Sequence, residues 1–128
     1  MAHGKFGTVI NCMDGRTQFP VATWMKEKYH LDYVDTITEP GPDGILKSAK
    51  GQLVESIRSR AQISVEAHGS KIVVVVAHHD CAGNPADKKH HMEHLKKSIQ
   101  TIRSWNLPVE SISGVWVDEN WEVEAIDS

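Results

Sequence analysis

The sequence predicts an α/β fold: a three-layer α-β-α arrangement around a mostly parallel sheet. The expected strand order is 2-1-3-4, with a last, antiparallel strand at the edge. Three observations carry this expectation. Short β-rich runs alternate with long helical patterns along the chain. One run, Ile72-Val73-Val74-Val75-Val76-Ala77, is aliphatic throughout, as in a central parallel strand covered on both faces. The last two runs are separated only by Asp118-Glu119-Asn120, which suits a hairpin.

Taken in order, Phe6 to Asn11 is the first strand. Pro20 to His30 carries helix formers with Val21, Trp24 and Met25 as its apolar positions, and Pro20 is expected in the first turn. Tyr33 to Thr38 alternates and is β-branched, so it reads as the second strand. Glu39-Pro40-Gly41-Pro42-Asp43-Gly44 reads as a loop. One long helix is expected from Ile45 to about His68, with Leu46, Ala49, Leu53, Ile57, Ala61 and Val65 on its buried face. Gly69-Ser70 ends it in the manner of a glycine C-cap. Lys71 to Ala77 is the third strand, and Asp87 to Trp105 a helix with the stripe Met92, Leu95, Ile99 and Ile102. Val109 to Val117 and Trp121 to Ile126 complete the hairpin. The absence of a repeat, a low-complexity stretch or a linker makes one domain over residues 1–128 the expectation.

A chain of 128 residues buries roughly two thirds of its unfolded surface. With 14 basic against 17 acidic residues the net charge is −3, which argues against a general nucleic-acid binder. No apolar run is long enough for a membrane span, and the start, Met1-Ala2-His3-Gly4-Lys5, lacks an export signal, so a cytoplasmic location is expected. A reducing cytoplasm disfavours a disulfide between the two cysteines, and either could be buried simply as a small hydrophobe.

Their neighbours point elsewhere. Cys12-Met13-Asp14-Gly15-Arg16 follows the first strand, and His78-His79-Asp80-Cys81 follows the third. In an open parallel sheet, ligands bind beyond the carboxyl ends of the strands where the strand order reverses. With the order 2-1-3-4 that point lies between the first and third strands, so the two clusters should meet. Two cysteine sulfurs and one histidine nitrogen are a common catalytic zinc set with a fourth position left open. Soft thiolates select zinc over magnesium or calcium. Asp14 is close enough in sequence to reach the same metal, and Arg16 could form a forked pair with its carboxylate.

These residues resemble the β-class carbonic anhydrases. That family carries Cys-x-Asp-x-Arg after its first core strand, matched by Cys12, Asp14 and Arg16, and His-x-x-Cys after a Val/Ile-rich strand, matched by His78 and Cys81. Ile112 to Val117 and Glu122-Val123 look like its closing strands, so the likeness runs from about Gly7 to Ile126. The resemblance implies zinc held by Cys12, His78 and Cys81. It implies that Asp14 is either a fourth ligand in a closed form or, in an open form, the partner of Arg16 beside a zinc-bound water. It implies reversible hydration of carbon dioxide to bicarbonate by hydroxide on zinc, which lowers the pKa of water from about 15.7 to about 7. Asp14 and Arg16 are then the catalytic pair, and a homodimer or higher homo-oligomer is the expected assembly. The chain departs from the family in three places: no helices precede the first strand, Glu39 to Gly44 stands where Arg-Asn-Ala-Gly is usual, and Ala82 follows Cys81 where a glycine is usual.

Other readings stay open at the level of sequence. The same zinc chemistry would serve a hydrolase of carbonyl sulfide or carbon disulfide, and a closed four-ligand site would serve structure or sensing. A rhodanese-type sulfurtransferase would use Cys12 to Thr17 as a persulfide loop but leaves His78 and Cys81 without a role. His90 and His94, spaced i, i+4, face away from the apolar stripe while His91 flanks it; a solvated helix face is the simpler expectation, with a surface metal pair as the alternative. His79 or His91 could shuttle protons. His3, His30 and His68 read as surface or loop residues, and Trp105, Trp116 and Trp121 as core or dimer contacts.

Overall fold

The computed structural model describes residues 3–126; Met1, Ala2, Asp127 and Ser128, which the single-domain expectation includes, lie outside the described residues. The chain runs β1 (Phe6–Cys12), α1 (Gly15–Tyr29), β2 (Tyr33–Glu39), α2 (Pro42–Leu46), α3 (Gln52–His68), β3 (Ile72–His78), α4 (Lys88–Ser104), β4 (Ser111–Val117) and β5 (Val123–Ile126). The sheet order is β2-β1-β3-β4-β5. β1 pairs in parallel with β2 and β3, β3 pairs in parallel with β4, and β5 closes the edge antiparallel to β4.

The valine run explains this architecture. Every residue of β3 is buried. Val73, Val75 and Ala77 pack into a core with Ile57 and Ala61 of α3 and Leu95 and Ile99 of α4. Their neighbours Ile72, Val74 and Val76 pack into a second core with Val21 and Met25 of α1. Alternation along the strand therefore feeds both faces. Fully burying each such side chain is worth about 1.5–3 kcal/mol. The chain leaves β1 for β2 on one side and returns to β3 on the other, which opens a crevice at the carboxyl ends of β1 and β3.

Several boundaries differ from the sequence expectation, each for a local reason. α1 begins at Gly15, not at Pro20, because the Asp14 side chain accepts the Arg16 backbone N–H and caps the helix there. Pro20 consequently lies inside α1. The long helix from Ile45 is broken. Pro42–Leu46 forms a short helix inside the expected loop, and the chain then turns through Ala49 and Gly51, with φ of 60° and 132°, before α3. Positive φ at both residues is incompatible with helix. The break rotates the buried face: Val54 is buried, while Ala49 and Leu53 are exposed. His30 is the left-handed C-cap of α1, and His68 ends α3 with its Nδ1 2.6 Å from the Asp35 carboxylate.

Candidate metal centre

The crevice is occupied by the two motifs. Cys12 is the last residue of β1, His78 the last of β3, and Cys81 sits in the turn that follows. All three are buried, with His78 fully so. Cys12 Sγ and Cys81 Sγ are 3.9 Å apart, and one ligand atom from each of the three side chains lies within 4.8 Å of the others. Two thiolates about 2.3 Å from a tetrahedral zinc stand roughly 3.8 Å apart, so the sulfur spacing suits that ion.

His78 is prepared in the same sense. Its Nδ1–H donates to the His79 carbonyl at 2.7 Å, which leaves the lone pair on Nε2. Nε2 is buried and has no hydrogen-bond partner among the described residues. Metal-binding histidines usually fix the other ring nitrogen in this way. Burial opposes protonation of His78, but the Cys12 sulfur, the His79 carbonyl and Asp14 together raise its pKa.

The sulfurs form a coupled pair. A hydrogen bond from Cys81 draws the Cys12 thiol well below its usual range, against burial and with help from His78 and the Gly41 and Asp14 backbones. Cys81, sharing the proton with Cys12 and buried, is pushed up, although the Asn84 and Gly83 backbones oppose this. A cation would displace that shared proton.

Two glycines make the approach of the loops possible. A Cβ on Gly83 would lie 2.4 Å from the Pro40 carbonyl carbon and 2.7 Å from the Gly41 nitrogen. Gly41 itself has φ of 60°, and a Cβ there would lie 2.7 Å from Asn84 Cβ. The backbone after β2 and the backbone after Cys81 therefore touch directly. Gly83 performs this close approach one position after the place where the resemblance looks for it.

Asp14 stands beside these three side chains and is held by Arg16. Arg16 Nη2 donates to Oδ2 at 2.7 Å, and Nε reaches Oδ1 and Oδ2 at 3.1 and 3.2 Å. Asp14 Oδ2 is 4.0 Å from His78 Nε2. The Arg16 hydrogen bonds hold the Asp14 carboxyl at about 2, and the guanidinium is correspondingly raised. Arg16 is steadied from outside by Asp80, whose carbonyl accepts from Nη2 at 3.2 Å, and by Trp121, whose ring centre lies 4.4 Å from the guanidinium carbon. Gln18 Nε2 donates to the Cys12 carbonyl at 2.6 Å. A cleft of about 230 Å3 opens here, lined by Cys12, Met13, Asp14, Pro40, Ala82 and Gly83.

Cys12, Asp14, Arg16, His78 and Cys81 thus converge as the sequence expects. The parts that Gly41, Gly83, Asp80, Gln18 and Trp121, which was expected as a core or dimer contact, play around this site went unread; only the two glycines carried a visible signal. His79 lines a hollow with Asp80, Cys81 and Lys88, and Asp87 caps α4 by accepting the His90 backbone N–H, with His90 Nδ1 also 2.6 Å from its carboxylate. The expected solvated face or surface pair is corrected for His94, which is mostly buried beside Asp43. His91, expected at the flank of the stripe, is fully buried with its Nδ1 2.6 Å from Asp43 Oδ2.

A family model described as "Putative carbonic anhydrase" matches residues 2–127. No curated protein is significantly similar in sequence. Among solved structures, the chain is similar to β-carbonic anhydrase isoform I of the protozoan Trichomonas vaginalis, at 14% identity over 93% of this chain and 81% of that one, with a TM-score of 0.60. It is also similar to the β-carbonic anhydrase CafA of the fungal pathogen Aspergillus fumigatus, at 12% identity over 98% of this chain and 76% of that one, with a TM-score of 0.61. At such identities these likenesses speak for the fold.

Proposed function

Because the chain belongs to the "Putative carbonic anhydrase" family, we propose that it is a zinc enzyme interconverting carbon dioxide and bicarbonate. One observation carries the reading: two buried sulfurs and a His78 Nε2 without a partner among the described residues converge beside a carboxylate that Arg16 already holds. Cys12, His78 and Cys81 would hold the zinc, which would supply the Lewis acidity that lets water act as a nucleophile near neutral pH.

The residues of the chain do the rest. Cys12 and Cys81 offset the charge of the dication as thiolates, and the His79 carbonyl keeps His78 Nε2 free to ligate. Arg16 keeps Asp14 ionised and turned to its own guanidinium, so the carboxylate is an acceptor and not a competing ligand. Asp14 then accepts a hydrogen bond from the attacking water and orients it toward the cleft. Pro40, Ala82 and Gly83 give that cleft an apolar wall suited to a small uncharged substrate. A closed four-ligand site would require Asp14 to leave Arg16.

Zinc content measured with stopped-flow carbon dioxide hydration across pH 7–9 tests the proposal. One zinc at these ligands together with hydration supports it, and zinc without hydration at any pH overturns the catalytic part. A homodimer and a cytoplasmic location belong to the same reading and are open to light scattering and cell fractionation. Among the described residues no helix is long and apolar enough to cross a membrane.

A further inference from the structure

A second group of ligand-type side chains lies where α2 packs on α4. Asp43 comes from the first turn of α2, and His91 and His94 project one turn apart from α4. One ligand atom from each lies within 4.8 Å of the others. His91 Nδ1 is 2.6 Å and His94 Nδ1 3.8 Å from Asp43 Oδ2. Asn84 Nδ2 reaches both Asp43 Oδ2, at 3.1 Å, and His94 Nδ1, at 3.0 Å.

Hydrogen bonding within the group leaves a remainder. Asp43 and His91 are both fully buried, yet Asp43 Oδ1 and His91 Nε2 have no partner among the described residues. Buried polar atoms are ordinarily satisfied, and a bare carboxylate oxygen in the interior calls for a donor or a cation.

We propose that Asp43, His91 and His94 form a second site for a divalent first-row cation of the zinc type. Two imidazoles and one carboxylate are a recurrent donor set for such ions, with a position left for water. Ligand distances of about 2.0–2.2 Å place neighbouring donor atoms roughly 3.4 Å apart. The His91–Asp43 contact of 2.6 Å is given up to the ion, and the His94–Asp43 contact of 3.8 Å closes around it. His91 ligates through Nδ1 with its proton on Nε2, Asp43 offers Oδ1, the oxygen without a partner among the described residues, and Asn84 keeps its bond to Oδ2. His94, partly exposed, marks the side on which the ion enters. Lacking sulfur, the site should accept cobalt, nickel and iron(II) more readily than the thiolate centre does.

The test is metal stoichiometry on the full chain. Protein stripped by chelation is titrated with Zn2+, and retained metal is counted after gel filtration. Wild type should hold two equivalents, His94→Gln one, and the Cys12→Ser/Cys81→Ser double variant one. Because Asp43 is fully buried, His94→Gln at the cluster's edge is the better variant, with circular dichroism as a check on its fold. With Co2+, the near-ultraviolet thiolate band should disappear in the cysteine variant while visible cobalt bands persist. A wild type holding one equivalent, with none in the cysteine variant, overturns the proposal. One equivalent that survives loss of both cysteines and vanishes in His94→Gln supports it, and refutes the thiolate centre instead.

Discussion

Arg16 grips the Asp14 carboxylate through Nε and Nη2, its shortest contact 2.7 Å, while Asp14 Oδ2 remains 4.0 Å from His78 Nε2. One carboxylate is thus shared between helix capping, an ion pair and the border of the candidate metal centre. The competition among these roles can be tested directly.

Arg16→Ala should release Asp14 toward the cation. Zinc stays at the Cys12, His78 and Cys81 centre while hydration falls by about 10²-fold or more, as for loss of a positioned charged donor. Zinc analysis with stopped-flow kinetics checks this. Full activity would show that Asp14 needs no restraint.

Gly83→Ala tests the contact between the two loops. The new methyl group would meet Pro40 and Gly41 backbone that cannot swing aside, a strain of about 1–3 kcal/mol. Thermal unfolding should move down and competitive chelation should show weaker zinc binding. Unchanged zinc affinity would mean the loops can separate without disturbing the sulfurs.

Chelation should lower the unfolding temperature, and added zinc should restore it, because a ligand that binds only the folded chain stabilises it. Most of that shift should vanish in Cys81→Ser. Calorimetry with and without chelator is the measurement.

Asp87 supplies a pH test at the start of α4. Its carboxylate accepts the His90 backbone N–H at the start of α4, which lowers its pKa. The depressed value means that its stabilising contribution is present above the ordinary aspartate pKa and is lost as pH falls through the folded one. Asp87→Ala should therefore reduce the unfolding temperature by about a few degrees at pH 7. At pH 2–3 the variant and wild type should converge, and a constant gap would point to packing.

The sheet was legible because Ile72 to Ala77 has only one sensible location, the middle, and the order of the other strands follows from it. The Cys12–Arg16 and His78–Cys81 clusters were legible for the same reason: each lies at the end of a strand whose place the topology fixes. Residues 39–51 were not. Their apolar spacing continues a helical pattern that only the positive φ values of Ala49 and Gly51 interrupt, and alanine carries no sign of such a conformation. Asp43 was hidden by its Pro-Gly neighbours, which read as loop. His91 could have been found, since it lies four residues before Leu95 on the buried face of α4. Asp80 and Trp121 reach Arg16 from the segments after β3 and β4, and no spacing in sequence announces those contacts.

The two sulfurs are separated by 69 positions along the chain yet stand 3.9 Å apart. A cation gripping both is a cross-link spanning more than half the protein. Closing a loop of that length removes about 4 kcal/mol of chain entropy from the denatured ensemble. The grip also requires β1 and β3 to be paired already, so the ion can act as a late-set staple whose capture reports that the middle of the sheet has assembled.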